Sequence, residues 1–220
     1  MSLEIVTLVS EPMQVNTYLI ADSETKISTV IDPSFDAQIV LDENTARGWN
    51  LHQIWLTHAH FDHIAGVEQV ANAFMPPLLV GLHPADMELY AQGGGGDEFG
   101  FTISPGLDPT IRFYQGQVLT LGRVKFLVRH APGHTHGHVL FYCPEARVLF
   151  CGDVLFKGSI GRTDLPGSSH SELMFSIRSQ IINLPEDVRV LPGHGPETTV
   201  GEEKKNNPFF KFTSPLPQIP

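Results

Sequence analysis

Residues 57–63 read Thr-His-Ala-His-Phe-Asp-His, three imidazoles and a carboxylate within seven positions. Packed without a cation, such a cluster would leave buried polar groups unpaired, at a cost of roughly 2–7 kcal/mol each. Three more groups of the same kind stand far downstream: His134 after Ala131-Pro132-Gly133, Asp153 after Gly152, and His194 after Pro192-Gly193. All are nitrogen or oxygen donors, which suits zinc, iron or manganese and disfavours a soft metal. A catalytic zinc takes about three protein ligands plus water. The candidates His58, His60, Asp62, His63, His134, Asp153 and His194 are too many for one ion and suit two that share a carboxylate. His58 and His60, two apart in an extended loop, can point the same way. Asp62 and His63 open a helix and point elsewhere, as a second ion requires. The Thr57 hydroxyl is placed to hold the outer side of a ligand. His52, His83 and His170 stand alone and read as ordinary structural or surface histidines.

Each candidate ligand follows a stretch of strand character: Ile54–Leu56, Val124–His130, Val148–Cys151 and Val188–Leu191. Ligands gather at strand C-terminal ends because rigid strands support the loops there. If the four strands lie side by side, the loops converge. Leu3–Val9, Asn16–Ala21, Ile27–Ile31, Leu78–Val80 and His138–Cys143 also predict strands. Asp36–Arg47 predicts a helix stopped by Gly48. Ile64, Val67, Ala71 and Phe74 recur at helical spacing. Ser169-His170-Ser171-Glu172 is a capping box that opens a helix running to about Ile182. Gln92–Asp97, with four consecutive glycines, predicts a flexible loop; no Lys-Ser/Thr follows, so it is not a phosphate-binding P-loop. The Pro-rich stretch Thr213–Pro220 is expected to be ordered only by docking. Strands and helices mix throughout without a linker, which predicts one α/β or α+β domain over residues 1–220.

Composition agrees with a globular chain: 220 residues, 41% hydrophobic and 17% charged. The net charge of −10 argues against a nucleic-acid partner; bound divalent cations would offset part of it. The N-terminus has no basic n-region, and no apolar run approaches the roughly 20 residues that span a bilayer. The expectation is a cytoplasmic protein without a membrane partner; the oligomeric state is not legible. Cys143 and Cys151 fall on two arms of a hairpin around Pro144–Ala146, with Cys143 opposite about Arg147 and Cys151 opposite about Val139. They are too far apart along the ladder for a disulfide and read as free thiols of a reducing compartment.

Thr57–His63 together with His134, Asp153 and His194 resembles the metallo-β-lactamase superfamily, and the likeness runs over nearly the whole chain, Asn16-Thr17-Tyr18 and Ile31-Asp32-Pro33 included. The stretches Gly152–Phe156, Gly158–Gly167, Leu191–Thr199 and Gly201–Phe209 are similar to short bacterial glyoxalase II-like (hydroxyacylglutathione hydrolase-like) enzymes. The resemblance implies a four-layer α/β/β/α sandwich. It implies one metal on His58, His60 and His134, a second on Asp62, His63 and His194, and Asp153 as the bridge. Zinc is the implied metal, with iron or manganese as substitutes, and Asp62 and Asp153 are the catalytic carboxylates.

The implied activity is hydrolysis of a small acyl substrate, a thioester such as S-lactoylglutathione, with Arg162 and Lys157 steering a substrate carboxylate. The alternative is a persulfide dioxygenase of the same fold with one iron on His58, His134 and Asp153; a lactonase or a non-catalytic metal-binding protein follows behind. The chain also departs from the full-length glyoxalase II pattern. It ends at Pro220, where the expectation is that the glutathione-gripping helical extension is missing. Asp164 stands two residues after Arg162 in place of a tyrosine, Pro196 replaces another tyrosine, and His136 takes a position of proline or a small residue and is expected at the surface.

Overall fold

The computed structural model describes residues 2–104 and 106–210; the Pro-rich stretch lies outside the described residues. One mixed sheet runs in order through β1 (Leu3–Ser10), β2 (Val15–Asp22), β3 (Ile27–Ile31), β4 (Asn50–Trp55), β5 (Leu79–Leu82) and β6 (Ile111–Arg112). The second contains β7 (Val118–Leu121), β8 (Val124–His130), β9 (Val139–Cys143), β10 (Val148–Gly152), β13 (Arg189–Pro192) and β14 (Thr198–Thr199), in spatial order β14-β13-β10-β9-β8-β7. Between β10 and β13 the chain makes a small hairpin of β11 (Leu155–Phe156) and β12 (Ser159–Ile160). The helices are α1 (Ala37–Ala46), α2 (Phe61–Ile64), α3 (Val67–Asn72), α4 (Met87–Ala91), α5 (His170–Ser176) and α6 (Val200–Asn206).

The layers follow from the period of two along a strand. In β2, Tyr18 and Ile20 enter the core between the sheets, while Leu19 and Ala21 face the helix side with Val40, Val67 and Val70. In β9 and β10, Phe141 and Phe150 point between the sheets, while Leu140 and Leu149 pack on Leu173 and Ile177. Strands covered on both faces read as continuous apolar runs rather than alternating ones. The result is helices, sheet, sheet, helices, the expected four-layer α/β/β/α sandwich. Among the described residues no helix is long and apolar enough to cross a membrane.

The two cysteines illustrate the same alternation. β9 and β10 pair Cys143 with Val148, one residue later than the simple count from the turn. Cys143 belongs to the core between the sheets and Cys151 to the core beneath α5, so they sit on opposite faces, and both are free.

Three elements differ from expectation. The helix after the histidine cluster is broken into α2 and α3 at Gly66, whose amide donates to the Pro33 carbonyl at 3.0 Å. The helix opened by Ser169 passes at Ile177 into a π-helical stretch to Ile181. The glycine run is no loose loop: Gly93–Phe99 forms 3₁₀ turns, and Gly93, Gly94 and Gly96 are buried. A Cβ on Gly94 would lie 2.3 Å from the Phe61 amide nitrogen, so only glycine lets this segment close over α2.

Candidate metal centre

The four ligand-bearing loops do converge, but from two sheets. β4 of the first sheet delivers His58–His63; β8, β10 and β13 of the second deliver His134, Asp153 and His194. β8 and β10 both run antiparallel to the β9 between them, and β10 runs parallel to β13. All three therefore end at one edge of the second sheet, where it meets the end of β4.

Ligand atoms of His58, His60 and His134 lie within 4.8 Å of one another, as do those of Asp62, His63 and His194. The Asp153 carboxylate stands between the groups. Its Oδ1 is 3.5 Å from His63 Nε2, and its Oδ2 is 3.6 Å from His194 Nε2 and 3.7 Å from His134 Nε2. Asp62 Oδ2 is 3.3 Å from His194 Nε2. Gly193 is what allows the approach, since a Cβ there would lie 2.1 Å from Asp153 Oδ1.

Outer hydrogen bonds fix the imidazoles. The Thr57 hydroxyl donates to Asp32 Oδ2 at 2.6 Å, so it can only accept from His58 Nδ1 at 3.0 Å. His63 Nδ1 donates to Asp32 Oδ2 at 3.0 Å. His134 Nδ1 donates to the Arg162 carbonyl at 2.9 Å, and His194 Nδ1 to the Met13 carbonyl at 3.1 Å. Four rings thus carry their proton on the outer nitrogen and turn the Nε2 lone pair inward, as metal-binding histidines do. His60 instead turns Nδ1 inward, 2.8 Å from His134 Nε2.

A divalent cation fits this donor set. His58 Nε2, His63 Nε2 and Asp153 Oδ1 are buried without a hydrogen-bond partner, which native interiors rarely tolerate. Burial, reinforced by neighbouring imidazoles, pushes the His58 and His60 pKa values well down, so both are neutral and ready to donate a lone pair. Burial also opposes a charge on His63, yet the carboxylates of Asp153, Asp62 and Asp32 raise its pKa to about 10. That field favours positive charge where the second group converges. The compact group Asp32, His58 and His63 is a support rather than a third cradle: the Asp32 oxygens already accept the Thr57 amide at 2.8 Å, the Thr57 hydroxyl and His63.

Several supports were not foreseen as such. Asn16 Nδ2 donates to the Pro192 and Gly195 carbonyls at 3.0 and 2.8 Å, and the Tyr18 hydroxyl to Pro192 at 2.7 Å, so β2 anchors the His194 loop. Buried Asp86 accepts from the Ala59 amide (3.1 Å), the Thr135 hydroxyl (2.7 Å) and the Gly137 amide (2.6 Å), clamping the His58–His60 loop to the His134 loop. His138 stacks on His58 at 4.7 Å, and its Nε2 accepts the Asp153 amide at 3.1 Å. Asp32, an acid at the end of β3, follows the strand-end rule that found the ligands. Asp86 and His138 carry no comparable signal.

Above the ligands opens a cavity of about 350 Å³, walled by Phe61, Leu89, Phe99, Phe156 and Leu165 and by the glycine segment through Gly94 and Gly95. Arg162 lines it, with its guanidinium engaged by both Asp164 oxygens at 2.9 and 3.0 Å. Lys157 does not line it. Phe156 of the β11–β12 hairpin lines the cavity, and the next residue is exposed at the turn. His136 is exposed, as expected.

The sequence profile of the Metallo-beta-lactamase superfamily matches residues 10–194. Hydroxyacylglutathione hydrolase GloC of Haemophilus influenzae is 36% identical over 216 residues, which span 97% of this chain and 100% of that one. Two solved structures are similar throughout. The B3 metallo-β-lactamase BLEG-1 has a TM-score of 0.88 at 37% identity, covering 94% of this chain and 99% of that one. TTHA1623, solved in a di-iron-bound form, has a TM-score of 0.84 at 38% identity, covering 93% and 99%.

Proposed function

From the premise that the chain belongs to the metallo-β-lactamase superfamily, we propose that it is a two-metal hydrolase of thioesters. The observation that carries this reading is the pair of ligand groups with the Asp153 carboxylate between them. His58, His60 and His134 would hold one ion, Asp62, His63 and His194 the other, and Asp153 both. Zinc suits these donors first, and iron or manganese also fit. The di-iron form of TTHA1623 supports two ions in a chain of this kind. When bound, such ions supply a water that ionises near pH ~7 instead of ~15.7, and a Lewis acid for an acyl carbonyl.

The chain's own groups do the rest. The Nδ1–H bonds to Thr57, Asp32, Arg162 and Met13 hold the imidazoles in one tautomer and one orientation. The His138 ring holds the Asp153 backbone. Phe61, Phe99 and Phe156 receive the acyl group and keep bulk water from it. A thiolate, with a thiol pKa of about 8.5, leaves without a proton donor. That suits this cavity, where the one carboxyl among the described lining residues outside the ligand groups is Glu98 and no lysine, tyrosine or cysteine stands. GloC, named a hydroxyacylglutathione hydrolase, supports the thioester class. The reading needs a small acyl substrate in the cytoplasm, and neither nucleic acid nor membrane.

β-Lactam hydrolysis is the second reading, favoured by the likeness to BLEG-1. Rates on a panel of acyl thioesters and on a β-lactam, measured before and after chelation and metal return, test both. Thioester turnover that chelation abolishes and metal restores is expected. Turnover of the β-lactam alone would replace the first reading with the second.

A further inference from the structure

We propose that Glu203 and Asn207, at the end of α6, are positioning residues for the acyl wall: they hold the tip of the β11–β12 hairpin and so fix Phe156 against the cavity. The role in substrate binding rests on the hydrolase reading above; the grip on the hairpin does not.

β11 and β12 form a two-stranded sheet of their own, with the pairs Leu155–Ile160 and Phe156–Ser159. A two-stranded hairpin is marginal by itself, so its place must come from other parts of the chain. Its base is secured beside the ligands. The Gly161 amide donates to the Val154 carbonyl at 3.3 Å, and a Cβ on Gly161 would lie 1.8 Å from the Asp153 carbonyl oxygen. Its tip is secured by the other two residues. The Gly158 amide, in the turn, donates to Glu203 Oε2 at 2.9 Å, and Asn207 Nδ2 donates to the Ser159 carbonyl at 3.0 Å.

Glu203 is 1% exposed and Asn207 0%. In the chain they lie between Val200 and Phe210, which belong to the same apolar core as Leu155 and Ile160. A carboxylate is costly in such a place unless its oxygens are hydrogen-bonded. Here Oε1 accepts from the Thr198 hydroxyl at 2.6 Å, and Oε2 accepts from Asn207 Nδ2 at 2.7 Å as well as from Gly158. Asn207 Oδ1 accepts the Phe209 amide at 3.0 Å. Both side chains are thus fully engaged, and each spends one bond on the hairpin backbone. What the hairpin brings to the site is Phe156, which lines the cavity with its ring centroid 6.3 Å from that of His194. Because the base is pinned separately, loosening the tip should move Phe156 and spare the ligands.

Backbone amide exchange and turnover of S-hexanoylglutathione, both on the metal-loaded full chain, test this. Glu203→Leu should speed exchange over residues 155–160 by at least about tenfold. It should raise KM about three- to tenfold, the scale of a lost apolar contact, with kcat and metal content at their wild-type values. Phe156→Ala should raise KM by a similar factor, and adding Glu203→Leu to it should raise KM no further, since residues that act through one contact are not additive. Glu203→Gln keeps an acceptor oxygen for the Gly158 amide and should hold both readouts near wild type. Asn207→Ala spares the Glu203 carboxylate and must show the same pattern at smaller size, which keeps the test open should Glu203→Leu fail to fold. Unmoved exchange, KM effects that multiply in the double variant, or a fall in kcat or metal content overturns the proposal. If the wild-type chain turns over no thioester, the hydrolase reading fails, and the exchange rates alone decide whether Glu203 and Asn207 hold the hairpin.

Discussion

Beneath the cavity floor His58 and His63 are 0% exposed, whereas at its mouth Phe99 is 45% and the Arg162 side chain 58% exposed. The floor is polar and sits on strand ends, and nearly every group is held from behind: His58 by Thr57, His63 by Asp32, Asp153 by His138. The mouth is apolar and assembled from short turns, with Met13, the Gly93–Phe99 segment, Phe156 and Leu165 coming from four separate parts of the chain. A floor built this way fixes lone pairs in place and tolerates little change. A mouth built from loops can change its residues without disturbing the ligand groups beneath. The ligand groups and the cavity rim thus stand on different mechanical foundations.

The comparison breaks first at Asp153. Asp153→Asn should empty the site to well under two ions per chain and lower turnover by more than about 100-fold, since even outer partners of a ligand cost 10–100-fold. Near-normal activity with metal retained would remove the bridge from the account. Asp32→Asn comes next. It leaves every ligand present but weakens the hold on Thr57 and His63, so metal affinity should fall by about 10–100-fold, and excess metal should restore most of the activity. If metal does not rescue it, Asp32 acts on the fold and not through the ligands.

The mouth should respond differently. Phe99→Ala removes a half-exposed ring and should raise KM for an apolar acyl thioester about three- to tenfold, the scale of roughly 1 kcal/mol of apolar contact. Its metal content should stay at the wild-type value; loss of metal would show that floor and mouth are coupled.

The smallest effect lies away from both. At the start of the β2–β3 turn, burial pushes the Asp22 carboxyl up, but the amides of Arg123 and Glu24 and the Thr25 hydroxyl outweigh it and hold the pKa below the ordinary 3.8. A carboxylate lowered on folding stabilises above its unfolded pKa and loses that contribution as pH falls through the folded one. Asp22→Asn should cost about 1 kcal/mol at pH 7. The gap to wild type should close below about pH 4. Urea melts at the two pH values check it, and a gap independent of pH would contradict it.

The sequence made the floor legible because metal ligands are chemically unusual residues in a short run, and because strand ends carry a recognisable apolar run before each one. The seven candidate ligands are brought together around one centre. The layered fold was legible for the same reason: strands covered on both faces, such as Val139–Cys143 and Val148–Gly152, read as unbroken apolar runs. The mouth was not. β11 and β12 are two residues each, too short for any periodicity. Four glycines signal freedom, and only tertiary contact with Phe61 turns them into an ordered wall. Lys157 and Arg162 are both cations in the stretch after Asp153, and of the two it is Arg162 that lines the cavity. Asp86 and His138 support the centre through buried hydrogen bonds between distant loops, which local pattern does not encode.

The most direct test is the metal content of the protein purified without added metal, by elemental analysis. The paired ligand groups predict about two ions per chain, zinc or zinc with iron. About one iron per chain and little else, together with oxygen uptake on a glutathione persulfide, would contradict the two-metal hydrolase and favour a mononuclear dioxygenase on His58, His134 and Asp153.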